Sequence, residues 1–118
     1  MKPRVVLVCG GRTFTDQNRL YYELDKLQKE LGFQSLVHGD CPGADWLADL
    51  WANTRSIDRT KYPPNWRKYG KGAGPIRNAR MLVHARPELV IAFPGGDGTA
   101  NMVKLAKEAG VDVVELKP

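Results

Sequence analysis

Five short runs rich in apolar and β-branched residues recur along the chain, separated by stretches of a different periodicity. The runs are 5–9 (VVLVC), 34–39 (QSLVHG), 56–62 (SIDRTKY, the weakest), 88–93 (ELVIAF, the most apolar) and 111–116 (VDVVEL). Each has the length and character of a strand. Residues 16–31 place Leu20, Leu24, Leu27 and Leu31 on one helical face, and residues 43–55 do the same with Ala44, Leu47, Ala48 and Trp51. Residues 75–85 and 98–110 read as two more helices. Thr15 or Asp16 can cap the first helix, Gly32 and Gly110 stop two of the four, and Pro75 suits a first turn. Strands that alternate with helices pair in parallel, and right-handed crossovers put helices on both faces of the sheet. The expected architecture is therefore an α/β fold of three α/β/α layers around a mostly parallel sheet of about five strands. With 118 residues the chain has the length of one domain, 1–118, that buries about two-thirds of its unfolded surface.

Composition narrows the class. Cys9 and Cys41 are the two cysteines, without a CxxC or Cys/His spacing, so no metal site is expected and a reduced, cytoplasmic setting is the simplest reading. The apolar run after Met1 is too short for a signal peptide or a membrane span, and no membrane partner is expected. The net charge of +5 favours an anionic partner. It is concentrated in residues 60–80, where Lys61, Arg67, Lys68, Lys71, Arg77 and Arg80 occur without an acid. Residues 62–74 read as the one long irregular segment, of a length that often carries function.

Function is most legible in three strand-to-helix junctions: CGGRTFTD (9–16), HGDCPGAD (38–45) and FPGGDGT (93–99). In an open parallel sheet all such loops lie at the carboxyl edge, where ligands bind. Each holds two or more glycines and opens a helix, whose first N–H groups are unpaired and whose dipole is positive. Glycine lets an anion approach the backbone closely. The residues expected to hold a phosphate or nucleotide are Gly10, Gly11, Arg12, Thr13, Gly39, Asp40, Gly43, Asp45, Arg77, Pro94, Gly95, Gly96, Asp97, Gly98 and Thr99. Neither a Walker A sequence nor GxGxxG is present.

These segments, together with GPIRNARM (75–81 lie within it) and IAFPGGDGTANM and in this order, resemble the YspA-like branch of the SLOG superfamily, which also includes the LOG phosphoribohydrolases and the DNA-processing protein Smf. The resemblance covers nearly the whole chain and implies a Rossmann-like fold and a nucleotide or nucleotide-derived ligand. LOG enzymes cleave the N-glycosidic bond of nucleoside 5′-monophosphates and carry PGGxGTxxE, with an arginine four residues before a methionine. Pro94, Gly95, Gly96, Gly98 and Thr99 match the first part, and Arg77 before Met81 matches the arginine. The glutamate position falls on Met102. A thioether neither stabilises oxocarbenium charge nor activates water, so the resemblance implies binding ahead of catalysis. Asp45 and Asp97 are the acids placed to substitute. Relatives commonly form dimers, which implies a homo-oligomer, with Tyr21, Tyr22 or Trp46 available for an interface.

Individual side chains carry competing readings. Arg77 suits bidentate phosphate binding, and Arg12 either clamps a phosphate or is solvated. Asp45 either caps its helix or accepts from a ribose hydroxyl. His38, His84, Cys9 and Cys41 read as structural, and Met102 packs in the core or lines a base pocket. Trp51 reads as core. Trp66 and Tyr69, set among cations, either stack on a base or anchor their loop, with anchoring favoured. The function expected is binding of a nucleotide-derived small molecule, with no cofactor. Phosphoribohydrolase cleavage with a relocated acid is the second reading. Single-stranded nucleic-acid binding, which falls steeply with salt, is the third.

Overall fold

A computed structural model describes residues 5–118, so the parts of the one-domain and N-terminal readings that fall on residues 1–4 lie outside it. Five strands, β1 (Val5–Cys9), β2 (Ser35–His38), β3 (Asp58–Lys61), β4 (Leu89–Ala92) and β5 (Asp112–Glu115), form one sheet in the order β3-β2-β1-β4-β5. Every neighbouring pair is parallel. Val6 of β1 stands opposite Leu36 of β2 and Leu89 of β4, which centres the most apolar strands.

The helices are α1 (Gln17–Leu31), α2 (Ala44–Thr54), α3 (Trp66–Tyr69), α4 (Ala73–Ala85) and α5 (Asp97–Glu108). Period-two alternation divides the sheet residues between two cores. Val6, Val8, Leu36 and Ile91 face Leu20 and Leu24 of α1 and Ala48, Trp51 and Ala52 of α2. Leu7, Val37, Val90 and Ala92 face Met81 of α4 and Met102, Val103 and Ala106 of α5. Each fully buried aliphatic side chain contributes about 1.5–3 kcal/mol of transfer free energy, so both faces drive closure of the three layers.

Local rules set the boundaries. Asp16, not Thr15, caps α1 by accepting from Arg19 N–H at 3.0 Å, and Gly32 ends it at φ 63°. Leu20 and Leu24 are buried, while Leu27 and Leu31 pack at the margin. The indole N–H of buried Trp51 donates to Asp25 Oδ1 at 2.9 Å, and Arg55 grips the same carboxylate through Nε and Nη2, both at 2.9 Å, which bolts α2 to α1. The edge strand β3 (DRTK) is exposed throughout, and its charges guard against strand addition.

The segment 62–74 differs from its expected irregularity. Asn65 accepts from Lys68 N–H at 3.1 Å and caps the single turn of α3, a 3₁₀ turn over Gly70–Gly72 follows, and α4 starts two residues early at Ala73. Pro75 fits there because a first-turn N–H needs no helical acceptor. A turn this short has no apolar periodicity to announce it.

Candidate functional site

The order β3-β2-β1-β4-β5 reverses between β1 and β4: the chain leaves β1 toward one edge of the sheet and β4 toward the other. The loops after these strands diverge and leave a crevice, the general position for ligands in such sheets. A cavity of about 670 Å³ occupies it, within the range of small-molecule sites. The two loops are tied together at its floor: Gly11 N–H donates to Pro94 O and Phe93 N–H to Cys9 O, both at 2.9 Å.

Twelve of the fifteen expected residues line the cavity: Gly10, Gly11, Arg12, Thr13, Gly39, Asp45, Arg77, Gly95, Gly96, Asp97, Gly98 and Thr99. Three do not. Asp40 sits at φ 57° and turns its carboxylate outward to accept from Trp46 Nε1 at 3.2 Å, so it belongs to a separate surface cleft. Gly43, at φ 85°, serves packing: a Cβ there would lie 2.7 Å from the Arg12 carbonyl carbon. Pro94 contributes its carbonyl to Gly11 and is not part of the cavity lining. Asp97, expected in the loop, is the first residue of α5.

The glycines divide by purpose. A Cβ at Gly10 would sit 2.5 Å from Ala44 Cβ, and one at Gly95 would sit 2.6 Å from Gly11 N and strike Thr99 Oγ1. These two are demanded by loop packing. At Gly96 and Gly98 an added Cβ would meet nothing within 4 Å. The N-caps of α2 and α5, Gly43 and Gly96, give no side-chain cap, in contrast to Asp16 on α1. The first N–H groups of α5 therefore open onto the cavity without a side-chain acceptor.

Asp45 does not cap α2, because Gly43 holds that position. It is buried in the first turn, and its Oδ2 accepts from Gly39 N–H at 3.1 Å and Cys41 N–H at 3.3 Å. Burial pushes its pKa up to about 6, against the pull of His38, Arg77 and the two backbone donors. Burial and the nearby Asp45 also push the Cys9 thiol far up, so Cys9 lines the cavity as an inert, protonated group. His38 is structural: its Nδ1 accepts from Asp40 N–H at 3.0 Å, which assigns the proton to Nε2, 2.8 Å from Asp49 Oδ1. Burial tends to raise the Asp49 pKa, but hydrogen bonds from His38 and Arg59 together hold it below its usual value.

Arg77 reaches the cavity but is not a free clamp. Its Nη1 donates to Gly39 O and to Tyr62 O (3.2 Å), and its Nε to Asn78 Oδ1 at 2.9 Å. Nη2 has one contact, Cys41 Sγ at 4.0 Å. One arm of the expected two-armed phosphate grip, Nη1, is thus taken by backbone carbonyls, while Nη2 keeps only the long sulfur contact. Buried Asn78 extends the line, donating to Asn101 Oδ1 at 3.0 Å and Gly98 O at 3.3 Å. This string braces the loop after β2 against the start of α5. Sequence reasoning missed Asn78 and Asn101; the available signal was an asparagine, a poor helix former, inside each of two helices.

Met102 is 1% exposed, packs in the α4–α5 core and does not line the cavity. Cys41 and Trp51 are likewise buried. Trp66 and Tyr69 correct the anchoring expectation: both are exposed, and Trp66 lines the cavity with the Arg12 guanidinium 5.0 Å from its ring centre.

The pattern of the YspA, cpYpsA-related SLOG family matches residues 4–69, more than half of the chain. The chain belongs to that family. Among proteins similar to this SLOG member is the gene 61 protein of Mycobacterium phage D29, 34% identical, with the alignment covering 94% of each chain. Two solved structures share the fold at 16% identity. One is Acinetobacter baumannii MurG, with a TM-score of 0.60 over 96% of this chain and 34% of that one. The other is the C-terminal domain of a Pyrococcus furiosus hydrogenase, with a TM-score of 0.56 over 98% and 94%. The Rossmann-like α/β expectation holds. Among the described residues no helix is long and apolar enough to cross a membrane.

Proposed function

We propose that the cavity binds a nucleotide or a nucleotide-derived small molecule, with its phosphate seated between the loops after β1 and β4. One observation carries this reading. Gly96, the N-cap, and Gly98, the second residue of α5, stand where the fold has room for a side chain, and at Gly98, inside the helix, glycine is unfavourable by roughly 0.5 kcal/mol relative to alanine. A ligand that approaches the backbone gives a reason for glycine that the protein's own packing does not. The α5 N–H groups, Thr99, Arg12 and Lys71 supply donors of the right sign. Membership of a SLOG family agrees with this ligand class.

The test is thermal unfolding with ribose 5-phosphate, nucleoside mono-, di- and triphosphates, NAD, ADP-ribose and cyclic nucleotides. A ligand at a hundred times its Kd stabilises the fold by about 2.7 kcal/mol, a shift on the order of 10 °C for a domain of this size. A shift with one class supports the reading, and none with any member overturns it.

A second reading, N-glycosidic cleavage of a nucleoside monophosphate, is favoured by Asp45, a buried carboxyl at the cavity with a pKa of about 6. Asp45→Asn that ends turnover and spares binding would support it. The absence of base release from every nucleoside monophosphate would refute it.

A further inference from the structure

Trp66 is the anomalous member of the cavity wall. Aromatic rings of this size are mostly buried, yet this one is 45% exposed, at the first residue of a four-residue helix. Its backbone is held in place. Asn65 caps the turn, and Tyr62 upstream is fixed by donation to His38 O at 2.8 Å and by acceptance from Arg77. The indole therefore stands at the cavity on a fixed support, with Arg12 as its partner. Arg12 immediately follows Gly10–Gly11, so a single side chain joins the phosphate end of the cavity to the aromatic end.

We infer that Trp66 is the platform for the nucleobase, and that Arg12, which packs on the indole, turns to the phosphate when the base takes its place. This inference rests on the nucleotide reading above and adds a specificity determinant to it. A guanidinium on an aromatic face occupies the kind of surface on which a planar base stacks. Exchange of one for the other releases a cation to the anion that arrives with the base. A sugar phosphate gains from Arg12 but not from the indole, so Trp66 discriminates base-bearing ligands from bare phosphates.

The experiment compares AMP and ribose 5-phosphate by calorimetry on wild type, W66A and W66F. One base–aromatic stack is equivalent to about a 5- to 150-fold change in affinity. W66A is expected to lose that factor for AMP and to bind ribose 5-phosphate as tightly as wild type or a few-fold more tightly, since Arg12 loses its resting place. W66F, which keeps a ring, is expected to fall between. AMP should quench the tryptophan fluorescence of wild type and not of W66F, although Trp46 remains exposed in both. Equal weakening of both probes in W66A, or no weakening of AMP, overturns the assignment while leaving the nucleotide reading intact. Wild-type protein that binds neither probe overturns the platform assignment, and overturns the nucleotide reading as well if no other member of the thermal panel binds. Thermal unfolding of W66A within about 2 °C of wild type shows that the variant is folded, as expected for an exposed side chain.

Discussion

Gly98→Ala separates what the fold needs from what a ligand needs. Gly98 is the second residue of α5, its φ lies outside the left-handed region, and a Cβ there meets nothing within 4 Å. Alanine therefore fits without strain. It removes backbone freedom from the unfolded chain and is expected to stabilise the empty protein by about 0.5 kcal/mol, the low end of the glycine-to-alanine range, because the first turn of a helix is less demanding than its interior. That is a rise in Tm of roughly 2 °C. The same methyl projects into the space where an anion would meet the α5 N–H groups, so ligand affinity should fall more than tenfold. Thermal unfolding with and without AMP reads both effects in one experiment. A destabilised empty variant would mean that packing does require this glycine. An undiminished AMP shift would mean that no ligand approaches the backbone here. Either result refutes the reasoning.

Three further predictions follow from the polar contacts. Asp45 has a folded pKa of about 6 against an ordinary 3.8, so it favours the folded state in its protonated form: its contribution to stability should be fully present below about pH 4 and lost, by about 3 kcal/mol in all, as pH rises through 6, a decline that Asp45→Asn removes in a pH series of denaturant titrations. Asp25→Ala orphans the buried Trp51 indole N–H and should cost about 1–3 kcal/mol, whereas Asp25→Asn keeps an acceptor and should cost less; the hydrogen bond from Arg55 lowers the Asp25 pKa, so its contribution is present above the ordinary value of 3.8 and lost as pH falls through the lowered one. Arg77→Lys loses the guanidinium that serves Gly39 O and Tyr62 O through Nη1 and Asn78 Oδ1 through Nε at once, and should cost about 1.5–3 kcal/mol by denaturant titration, with a loss of the ligand-induced Tm shift.

The fold was legible wherever one periodicity dominated. VVLVC and LVIAF are buried on both faces, as parallel central strands must be, and the leucine spacing of α1 names its buried face. The carboxyl-edge loops were legible because glycine clusters mark strand-to-helix turns. What escaped depends on contacts between segments distant in sequence. Nothing adjacent to Arg77 says that the carbonyls of Gly39 and Tyr62, 38 and 15 residues away, would take its guanidinium. Asp40 looked like a site residue among glycines, and its left-handed backbone turned it toward Trp46 instead. Trp66 could be weighed only as anchor or platform until α3 was seen to leave it at the cavity.

The central claim is that a phosphate-bearing ligand sits at the switch between β1 and β4, and amide chemical shifts of the ¹⁵N-labelled protein titrated with AMP test it most directly. Saturable shifts concentrated on Gly10–Thr13 and Gly95–Thr99, extending to the Trp66 indole N–H, are the predicted result. Saturable shifts confined to the outer cleft of Asp40, Trp46 and Arg59, or no saturable shift with AMP or any other nucleotide of the thermal panel, would contradict it.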